Sequence, residues 1–570
     1  MNANPENPAP LPERHFHPVR WLAAVLLLSV AGAVAFLVAV GGREGAILWY
    51  VRHFLREEAA PTQPVVWQTV PATTAPDGKT RPPNIILIVA DDLGANDLTL
   101  RGAGVAGELV PTPNINRIAS EGVEFVNGYS GNATCSPSRA ALLTGRYPTR
   151  VGFEFTPVPV PFSRVVGGHR NAEAAQRPIF HAERLPGSPD YDQMGLPPGE
   201  ITLATLLRGH GYRTLHIGKW HLGEAARFSP NAHGFDESLG FAAGASMFLA
   251  EDDSRVVNAK LAFDPIDRFL WAAHPFHLRF NGGTAFRPPR YLTDYLTDEA
   301  LAAIQANRSR PFFLYLAYNT PHTPLQAARE DYEALAGIPD HTRRVYGAMI
   351  RSLDRNVGRV LDALDRFGLA ENTLVVFTSD NGAPHSNGLA QLNAPYRGWK
   401  ATFFEGGIHV PYFMRWPGRI PEGTRVPAPA THFDVFATAA AAAGVPIPRD
   451  RVIDGIDLLP AAVEGATVPA RDLFWRSGNY LAIRSGDWKL QRSVNPDRTW
   501  LFNLLTDPTE QHNLAERLPQ QRDALVSRLR AFDQAQAKPL WPSLLEAPVP
   551  VDRTLNSPAV PAEDYVYWSN

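Results

Sequence analysis

The chain contains a single cysteine in 570 residues. No disulfide can therefore form within it, and no zinc site built from several cysteines is available. Lysine is also scarce, because only six of the 54 basic residues are lysine and the other 48 are arginine. The formal net charge of −3 leaves no basic excess that would favour a nucleic acid as partner. The remaining composition, 45% hydrophobic and 19% charged, is typical of a globular protein with a large core.

Long apolar runs are absent except for one, Trp21–Val40, which is twenty residues long and carries no charge. As a helix it is long enough to cross about 30 Å of hydrocarbon. The apolar part of a cleaved signal peptide is shorter, about 7–15 residues, although small residues near Ala33 and Ala35 keep cleavage open as an alternative. We expect residues 21–40 to be a single transmembrane helix in contact with the lipid bilayer. Arginines lie on both sides of the run, so charge bias alone does not settle its orientation. We expect the large domain that follows to be periplasmic or otherwise extracytoplasmic.

The pattern after this run divides the chain into several parts. Pro, Thr and Ala are frequent from residue 57 to residue 83 and indicate an extended linker. Apolar runs of strand length begin at residue 84. The predicted division is an N-terminal tail (1–20), the membrane helix (21–40), a juxtamembrane segment and linker (41–83), a catalytic domain (84–445), a C-terminal subdomain (446–540) and a Pro-rich tail (541–570).

Within the catalytic domain, apolar runs alternate with longer helical patterns, which is typical of a mostly parallel sheet flanked by helices. Helical patterns cover roughly residues 114–120, 202–209 and 345–367. Four apolar runs end in clusters of polar residues: Ile85–Val89, Tyr212–Ile217, Phe312–Tyr318 and Leu374–Thr378. In open α/β sheets, ligands lie beyond the carboxyl ends of the strands, so these clusters predict one shared site.

Two of these strand ends carry the oxygen groups Asp91, Asp92, Asp380 and Asn381. Oxygen ligands suit Ca²⁺ or Mg²⁺ better than zinc. Three carboxylates packed together would repel one another and raise one another's pKa unless a cation lay among them. We therefore expect one divalent cation here, with Ca²⁺ preferred to Mg²⁺.

The single cysteine lies in Ala-Thr-Cys135-Ser-Pro137-Ser-Arg139-Ala-Ala-Leu-Leu-Thr-Gly. Pro137 favours a first helical position, which would direct Cys135 and nearby backbone N–H groups toward the mouth of the sheet. Further cationic and acid–base groups lie in or beside the other motif segments: Lys219, His221, His322 and Lys400. Together they indicate a metal-assisted site for the ester of a tetrahedral oxyanion.

These motifs resemble those of the formylglycine-dependent sulfatases, the arylsulfatase family within the alkaline phosphatase-like superfamily. Cys135-x-Pro-Ser-Arg followed by Leu-Leu-Thr-Gly is similar to the family's modification motif, and Gly-Tyr-Arg-Thr-Leu-His-Ile-Gly-Lys-Trp-His221 is similar to its second signature. The resemblance covers roughly residues 84–515. It implies a large α/β domain followed by a small C-terminal antiparallel sheet with a helix.

The resemblance also implies that a separate formylglycine-generating enzyme oxidises Cys135 to formylglycine. The hydrate of that residue attacks the sulfur of a sulfate monoester, and the sulfated intermediate then expels sulfate. Residue 135 completes the cation site with Asp91, Asp92, Asp380 and Asn381. The implied roles of the other groups are an acid for the leaving alcohol (His322), a sulfate ligand (Lys400), a base for the second step (His221) and two groups that steady the developing charge (Arg139 and Lys219).

Two other functions remain open at this point. The motifs do not separate sulfur from phosphorus substrates, so a formylglycine-dependent phosphonate monoester or phosphodiester hydrolase is one alternative. A catalytically silent binding protein on the same scaffold is another, and it would require the loss of at least one functional residue.

Three further regions give weaker expectations. Residues 155–200 and 242–290 lack a clear core pattern and form either the walls of a substrate pocket or packing insertions. The Pro-rich end of the chain, from residue 539, is expected to be irregular. Short antiparallel strands and one helix are predicted at Leu473–Trp475, Tyr480–Arg484, Trp488–Gln491, Thr499–Asn503 and Pro519–Ala535.

Overall fold

The computed structural model describes residues 18–69, 81–100, 102, 104–169 and 176–570, apart from the side chains of residues 18–20, 23 and 24. Most of the predicted N-terminal tail and part of the predicted linker lie outside these ranges. A nine-stranded sheet forms the centre of the molecule, in the order β12-β2-β11-β10-β1-β8-β4-β5-β7. Its strands are β1 (Asn84–Ala90), β2 (Val123–Tyr129), β4 (Arg213–Lys219), β5 (Glu237–Phe241), β7 (Arg279–Phe280), β8 (Phe312–Ala317), β10 (Thr373–Ser379), β11 (Tyr412–Arg415) and β12 (Thr424–Thr431).

The middle of this sheet is parallel, as the alternating strand and helix patterns predict. Strands β10, β1, β8, β4 and β5 run side by side in one direction, while β11 and β7 are antiparallel to their neighbours. Every residue of β1 is buried, and its side chains alternate between two separate core clusters on the two faces of the sheet. Continuous apolar runs are therefore found where both faces are covered by helices.

The helices agree with the predicted positions to within a few residues at each end. The three predicted in the catalytic domain are observed as Pro113–Ser120, Leu203–Arg208 and His341–Arg366. The full set is α1 (Pro18–Ala39), α2 (Gly42–Tyr50), α3 (Pro113–Ser120), α4 (Cys135–Thr144), α5 (Val160–Gly168), α6 (Leu203–Arg208), α7 (Pro265–Ala273), α8 (Leu292–Asn307), α9 (Arg329–Glu333), α10 (His341–Arg366), α11 (Glu405–Ile408), α12 (Asp434–Ala442), α13 (Leu459–Glu464) and α14 (Pro519–Gln534).

Smaller sheets lie outside the central one. The predicted C-terminal sheet is observed as four antiparallel strands, with α14 packed against it through Leu525 and Leu529. The expectation of an irregular C-terminal tail is wrong, because two strands in it pair with each other and with residues 179–180. The strands of these sheets are β3 (Ile179–Phe180), β6 (Val256–Ala259), β9 (Leu325–Ala328), β13 (Asp472–Ser477), β14 (Tyr480–Ser485), β15 (Trp488–Ser493), β16 (Arg498–Asn503), β17 (Leu545–Pro550) and β18 (Tyr565–Ser569).

The strands in the tail were not predicted because prolines interrupt their alternating apolar pattern. Proline cannot donate a ladder hydrogen bond, so it is confined to positions where no donor is needed. Pro548 and Pro550 lie in the part of β17 that only β18 covers, and β3 pairs with Leu545 and Glu546 alone. The alternating Val549, Val551 and Val566 point inward and are buried.

The N-terminal apolar run forms α1, which ends at a pair of glycines. Gly41 and Gly42 have φ values of 84° and 85°, a left-handed conformation that glycine adopts without steric cost. Within the described residues, no single helix has the length and apolar character needed to cross a bilayer alone. The pair Val25–Ala39 and Gly42–Leu55, bent by 89°, meets the requirement when taken together.

The first part of the predicted linker lies against the catalytic domain. Trp67 is 6% exposed, belongs to the main core cluster and donates from Nε1 to Glu299 Oε2 at 2.8 Å. Ala60 forms backbone hydrogen bonds with residues 285 and 287. This segment is therefore held by specific contacts at its apolar residues, which were too few to show a periodic pattern.

Candidate active site

The predicted polar clusters meet at the carboxyl ends of four adjacent strands. Asp91 and Asp92 follow β1, Asp380 and Asn381 follow β10, Lys219 ends β4, and His322 follows β8. The order β10-β1-β8-β4 places these ends side by side. Cys135 is the first residue of α4, whose ten residues are all buried below the same edge of the sheet. The structure thus brings all ten predicted site residues into one region.

Each of the three carboxylates has a principal cationic partner, and Asp91 also lies 3.5 Å from Arg139 Nη2. Lys219 Nζ lies 2.9 and 2.7 Å from the two carboxylate oxygens of Asp91. Lys400 Nζ lies 2.7 and 2.8 Å from those of Asp92. The guanidinium of Arg139 donates to Asp380 Oδ2 from Nε at 3.0 Å and from Nη2 at 2.7 Å.

The cationic side chains near the three carboxyl groups give those groups different pKa values. Burial raises the pKa of Asp91 to about 7, although Lys219 opposes it. Burial acts in the same direction on Asp92, but the ammonium of Lys400 and the imidazole of His322 outweigh it, and the pKa of Asp92 lies below its ordinary value. Arg139, Lys219 and Lys400 outweigh burial at Asp380 and hold its pKa well below the usual range.

The donor set fits a hard divalent cation. Asp91, Asp92, Cys135 and His322 each present a ligand atom, and these atoms lie within 4.8 Å of one another. The amide of Asn381 donates from Nδ2 to Asp92 Oδ1 at 2.7 Å, while its Oδ1 is buried without a hydrogen-bond partner. A buried acceptor of this kind needs a donor or a cation. Asp380 lies beside the group, and its Oδ1 accepts from the backbone N–H of Asp92 at 3.1 Å.

Cys135 lies at the floor of the site, 3% exposed, with Lys400 Nζ 3.1 Å from Sγ. Its Sγ is 3.6 Å from Asp91 Oδ1 and 3.7 Å from Asp92 Oδ1. Burial, reinforced by Asp380, raises the pKa of the Cys135 thiol well above its usual range. Because the thiolate is the reactive form of cysteine, the surroundings do not favour direct attack by this sulfur.

The two predicted acid–base residues, His221 and His322, both line the cavity above Cys135. Nε2 of His322 lies 3.4 Å from Lys400 Nζ and 3.6 Å from Asp92 Oδ2, and burial lowers the pKa of His322 to about 3. Burial and Lys219 lower the pKa of His221 well below its ordinary value. Both imidazoles are therefore neutral at pH 7 in the protein alone.

His221 also has an unusual backbone conformation, with φ at 59°, and Asp92 has φ at 64°. Non-glycine residues adopt this region rarely, and such strain is concentrated at functional sites. The Nδ1 atom of His221 is buried without a hydrogen-bond partner. An added Cβ at Gly244 would lie 2.8 Å from Nε2, so glycine is needed at 244 to leave room for this ring.

Sequence reasoning missed two buried residues that support the site. His432 bridges α4 and β10, with Nδ1 3.0 Å from Ser138 Oγ and Nε2 3.2 Å from Thr378 Oγ1. The hydroxyl of Tyr315 accepts from Arg139 Nη1 at 3.2 Å. His432 lies in no motif, and Tyr315 is hidden inside an apolar strand, so neither carries a signal in the sequence.

A cavity of about 1020 Å³ opens above Cys135, and His221, His322 and Lys400 line its floor. Both long regions without a core pattern contribute to its walls. The first supplies α5 and the residues before it, and the second supplies residues 242–246 and α7. Strand β17, from the C-terminal tail, closes another side. The described parts of these regions therefore form pocket walls as well as packing in the core.

The sequence and the fold match known proteins over most of the chain. Residues 83–445 match the family model described as Sulfatase. The chain is 37% identical over 422 residues to N-acetylgalactosamine-6-sulfatase of Mus musculus, covering 72% of each chain. It is 35% identical over 487 residues to steryl-sulfatase of Rattus norvegicus, covering 75% of this chain and 78% of the relative. The crystal structure of Ps i-CgsB in complex with k-i-k-neocarrahexaose superposes with a TM-score of 0.67 at 31% identity, covering 81% of this chain and 95% of that chain.

Proposed function

Since this chain belongs to the sulfatase family and is a sulfuric ester hydrolase, we propose that it cleaves sulfate monoesters to alcohol and inorganic sulfate through a formylglycine made from Cys135. The observation that carries this proposal is the position of Cys135. Its side chain lies at the floor of the cavity, against two carboxylates and Lys400, and its thiol is held neutral. A neutral thiol is a poor nucleophile, whereas an aldehyde hydrate at this place offers an oxygen nucleophile.

The oxygen-rich side of the site would hold one divalent cation, with Ca²⁺ preferred because the donors are carboxylate and amide oxygens. The residues proposed to hold it are Asp91, Asp92, residue 135, Asp380 and Asn381. A cation there polarises an oxygen at residue 135 and lowers its pKa. The buried, unpartnered Oδ1 of Asn381 supports this assignment.

The other residues act on the ester and its protons. Lys400, the least buried of the three cations at 18% side-chain exposure, faces the cavity and binds the sulfate oxygens. Arg139 and Lys219 are fully buried and hold Asp380 and Asp91 in position. The anionic ester raises the pKa of the adjacent His322, which then carries a proton for the leaving alcohol oxygen. His221, neutral and with a free acceptor, takes a proton from residue 135 in the second step.

The N-terminal region supports a membrane location for the catalytic domain, and we propose that this domain lies on the extracytoplasmic side. The side chains of Leu26, Leu27 and Leu28 in α1 are 66%, 70% and 73% exposed, an apolar surface that water does not favour. We propose that α1 with the turn after it anchors the protein in a bilayer as a single-pass element.

The test compares the full chain made with and without a formylglycine-generating enzyme, together with a Cys135→Ala variant. We expect the mass of the peptide spanning residue 135 to show an aldehyde or its hydrate only in the first preparation. Release of sulfate from an aryl sulfate should follow the aldehyde content and be absent from the Cys135→Ala protein. Equal activity in the thiol form would refute the proposal. A matched aryl phosphate diester in the same assay decides against the phosphorus alternative if sulfate turnover is faster.

A further inference from the structure

One wall of the cavity above Cys135 is apolar and is built by two helices. Helix α5 contributes Phe162 and Val166, and helix α7 contributes Phe269 and Leu270. The two helices pack against each other, with the rings of Phe162 and Phe269 edge to face at 5.3 Å. Apolar surface of this kind binds an apolar ligand because the ligand leaves water.

The segment that follows α1 forms part of the same wall. Val51 is 2% exposed and packs with Val165, Phe269 and Ala272. Leu55 also lines the cavity but is 54% exposed, so it lies at the mouth.

An ion-pair cluster fixes this segment on both helices. Glu44 of α2 lies 2.5 Å from Arg268 Nη1 on α7 and 3.5 Å from His169 Nδ1 at the end of α5. Specific ion pairs and apolar contacts therefore hold the N-terminal segment against the catalytic domain at this wall.

The outer face of the segment is aromatic and exposed. Trp49, Tyr50 and Phe54 are 40%, 51% and 63% exposed, and the ring of Phe54 contacts the other two rings at 5.6 and 5.2 Å. Aromatic rings favour the boundary between lipid and water. The 89° bend after α1 turns this segment onto the catalytic domain, where Glu44 pairs with Arg268. The mouth at Leu55 then opens at the lipid surface.

The apolar wall differs from the rest of the cavity. Elsewhere the lining carries charged side chains, among them Glu57, Arg177, Glu224, Arg279 and Arg553. None of the residues by which α5 and α7 line the cavity is charged. A sugar ring needs several polar partners on each face, so the wall formed by these helices and Val51 suits a less polar group.

We infer that the substrate is the sulfate ester of an apolar alcohol, taken from the bilayer through the mouth at Leu55. Its apolar part lies between α5, α7 and Val51, and its sulfate reaches residue 135. This inference rests on the proposed function, since it names the substrate class of the same site.

The experiment uses the full chain carrying formylglycine, reconstituted in phosphatidylcholine vesicles. Three esters are compared: a compact aryl sulfate, the same aryl sulfate carrying a long alkyl chain, and a sugar 6-sulfate. We expect kcat/KM for the alkylated ester to exceed that of the other two by about tenfold or more, since burial of several methylene groups contributes that much.

Two variants test whether the effect of a charge at Leu55 is specific to the mouth of the cavity or common to any exposed leucine. Leu55→Glu places a charge at the mouth and should lower kcat/KM for the alkylated ester about tenfold more than kcat/KM for the compact ester. Leu505→Glu is the matched control, because Leu505 is 73% exposed and does not line the cavity. It should leave both esters unchanged.

The outcomes distinguish the two proposals. Turnover of the compact ester without preference for the alkyl chain, or with preference for the sugar ester, overturns the apolar substrate and leaves the sulfatase mechanism standing. Absence of turnover for every sulfate ester, in protein shown to contain formylglycine, overturns the proposed mechanism itself.

Discussion

At the scale of single residues, the site consists of buried carboxylates that pair with buried or partly buried cationic side chains. Asp92 and Asp380 lie against Lys400 and Arg139, Asp91 lies against both Lys219 and Arg139, and all three carboxylates are buried. Removing one member of such a pair leaves the other charge buried and unpaired, which costs several kcal/mol. Each of these side chains therefore contributes both to the chemistry and to the stability of the site.

Lys400 offers a test of charge at the position proposed for sulfate. Lys400→Gln removes the ammonium beside residue 135 and should lower kcat about 10²- to 10³-fold, as loss of one group that stabilises developing negative charge does. Lys260→Gln is the matched control, because Lys260 is 53% exposed and pairs with Glu251. Steady-state kinetics on a compact aryl sulfate measures both, and equal losses in the two variants would contradict the assignment.

Asp97 provides a pH-dependent test of stability. Its Oδ2 accepts from Gly94 N–H and from the hydroxyl of Tyr346, and burial raises its pKa from 3.8 to about 7. The folded state thus binds this proton more tightly than the unfolded state does. The stabilisation is complete below about pH 4 and is lost as the pH rises to about 7.

We expect Asp97→Asn, which stays neutral, to gain in Tm relative to the wild type as the pH rises from about 4 to 7. The wild type measured in parallel at each pH is the control. Two parallel curves of Tm against pH would show that Asp97 does not titrate in this way.

The sequence could predict that most of the ten proposed site residues lie together, because nine of them lie at or beyond a strand end or in the first turns of α4, whereas Lys400 lies in the segment between β10 and α11. It could not predict which carboxylate pairs with which cation, since Lys219 and Asp91 are 128 residues apart and Lys400 and Asp92 are 308 apart. The left-handed backbone of His221 and Asp92 could not be located from residue type either, since Asp and His adopt it more often than most residues but still rarely.

At the scale of elements, periodicity located the central strands but not the pocket walls. Strands β1, β8 and β10 appear as largely apolar runs because both faces of the sheet are covered, whereas β4 also contains Arg, Thr, His and Lys. Helices α5 and α7 escaped prediction because each is nine residues long and lies in Pro- and Arg-rich surroundings. Their apolar residues face a cavity and a neighbouring helix, so they show no long amphipathic repeat.

One element contact gives a stability prediction. Asp354 on α10 accepts from the backbone N–H of Ile115 and from Asn114 Nδ2, both at 2.8 Å, in the first turn of α3. Asp354→Ala leaves that turn without its acceptor and should lower the free energy of unfolding by about 1–3 kcal/mol.

Asp362→Ala on the same helix is the control, since Asp362 is 64% exposed and pairs with Arg117 of α3. Its effect should stay below about 1 kcal/mol. Urea denaturation measures the free energy of unfolding of both variants. Equal losses would show that the buried cap at Asp354 contributes no more to stability than the exposed ion pair does.

At the scale of the whole molecule, the N-terminal helix and the catalytic domain act as one unit. The turn at Gly41 and Gly42 directs α2 onto α5 and α7, so the proposed anchor and the cavity have a fixed relation. The sequence indicated the apolar run but not this docking, because the contacts of Glu44 and Val51 join segments more than 100 residues apart.

The anchor can be tested apart from the site. Leu27→Asp with Val34→Asp places two carboxylates in α1, each of which costs about 3 kcal/mol within a bilayer. We expect the variant to stay at the bottom of a vesicle flotation gradient, whereas Leu27→Phe with Val34→Phe floats. Hydrolysis of a compact aryl sulfate should persist in both, because these side chains are 70% and 54% exposed. Flotation of the aspartate variant would contradict the anchor.

The pairing of β1 with β10 has a consequence for timing during synthesis. These neighbouring strands are 289 residues apart in the chain, and Lys400 follows Cys135 by 265 residues. A ribosome adds about 5–20 residues per second, so Lys400 is made roughly 13–53 s after residue 135, and β17, which closes another side of the cavity, is made later still. Once these segments have folded, Cys135 is 3% exposed. Any enzyme that modifies this thiol must therefore act before these segments are made and folded. Slower folding of the sheet gives the enzyme more time.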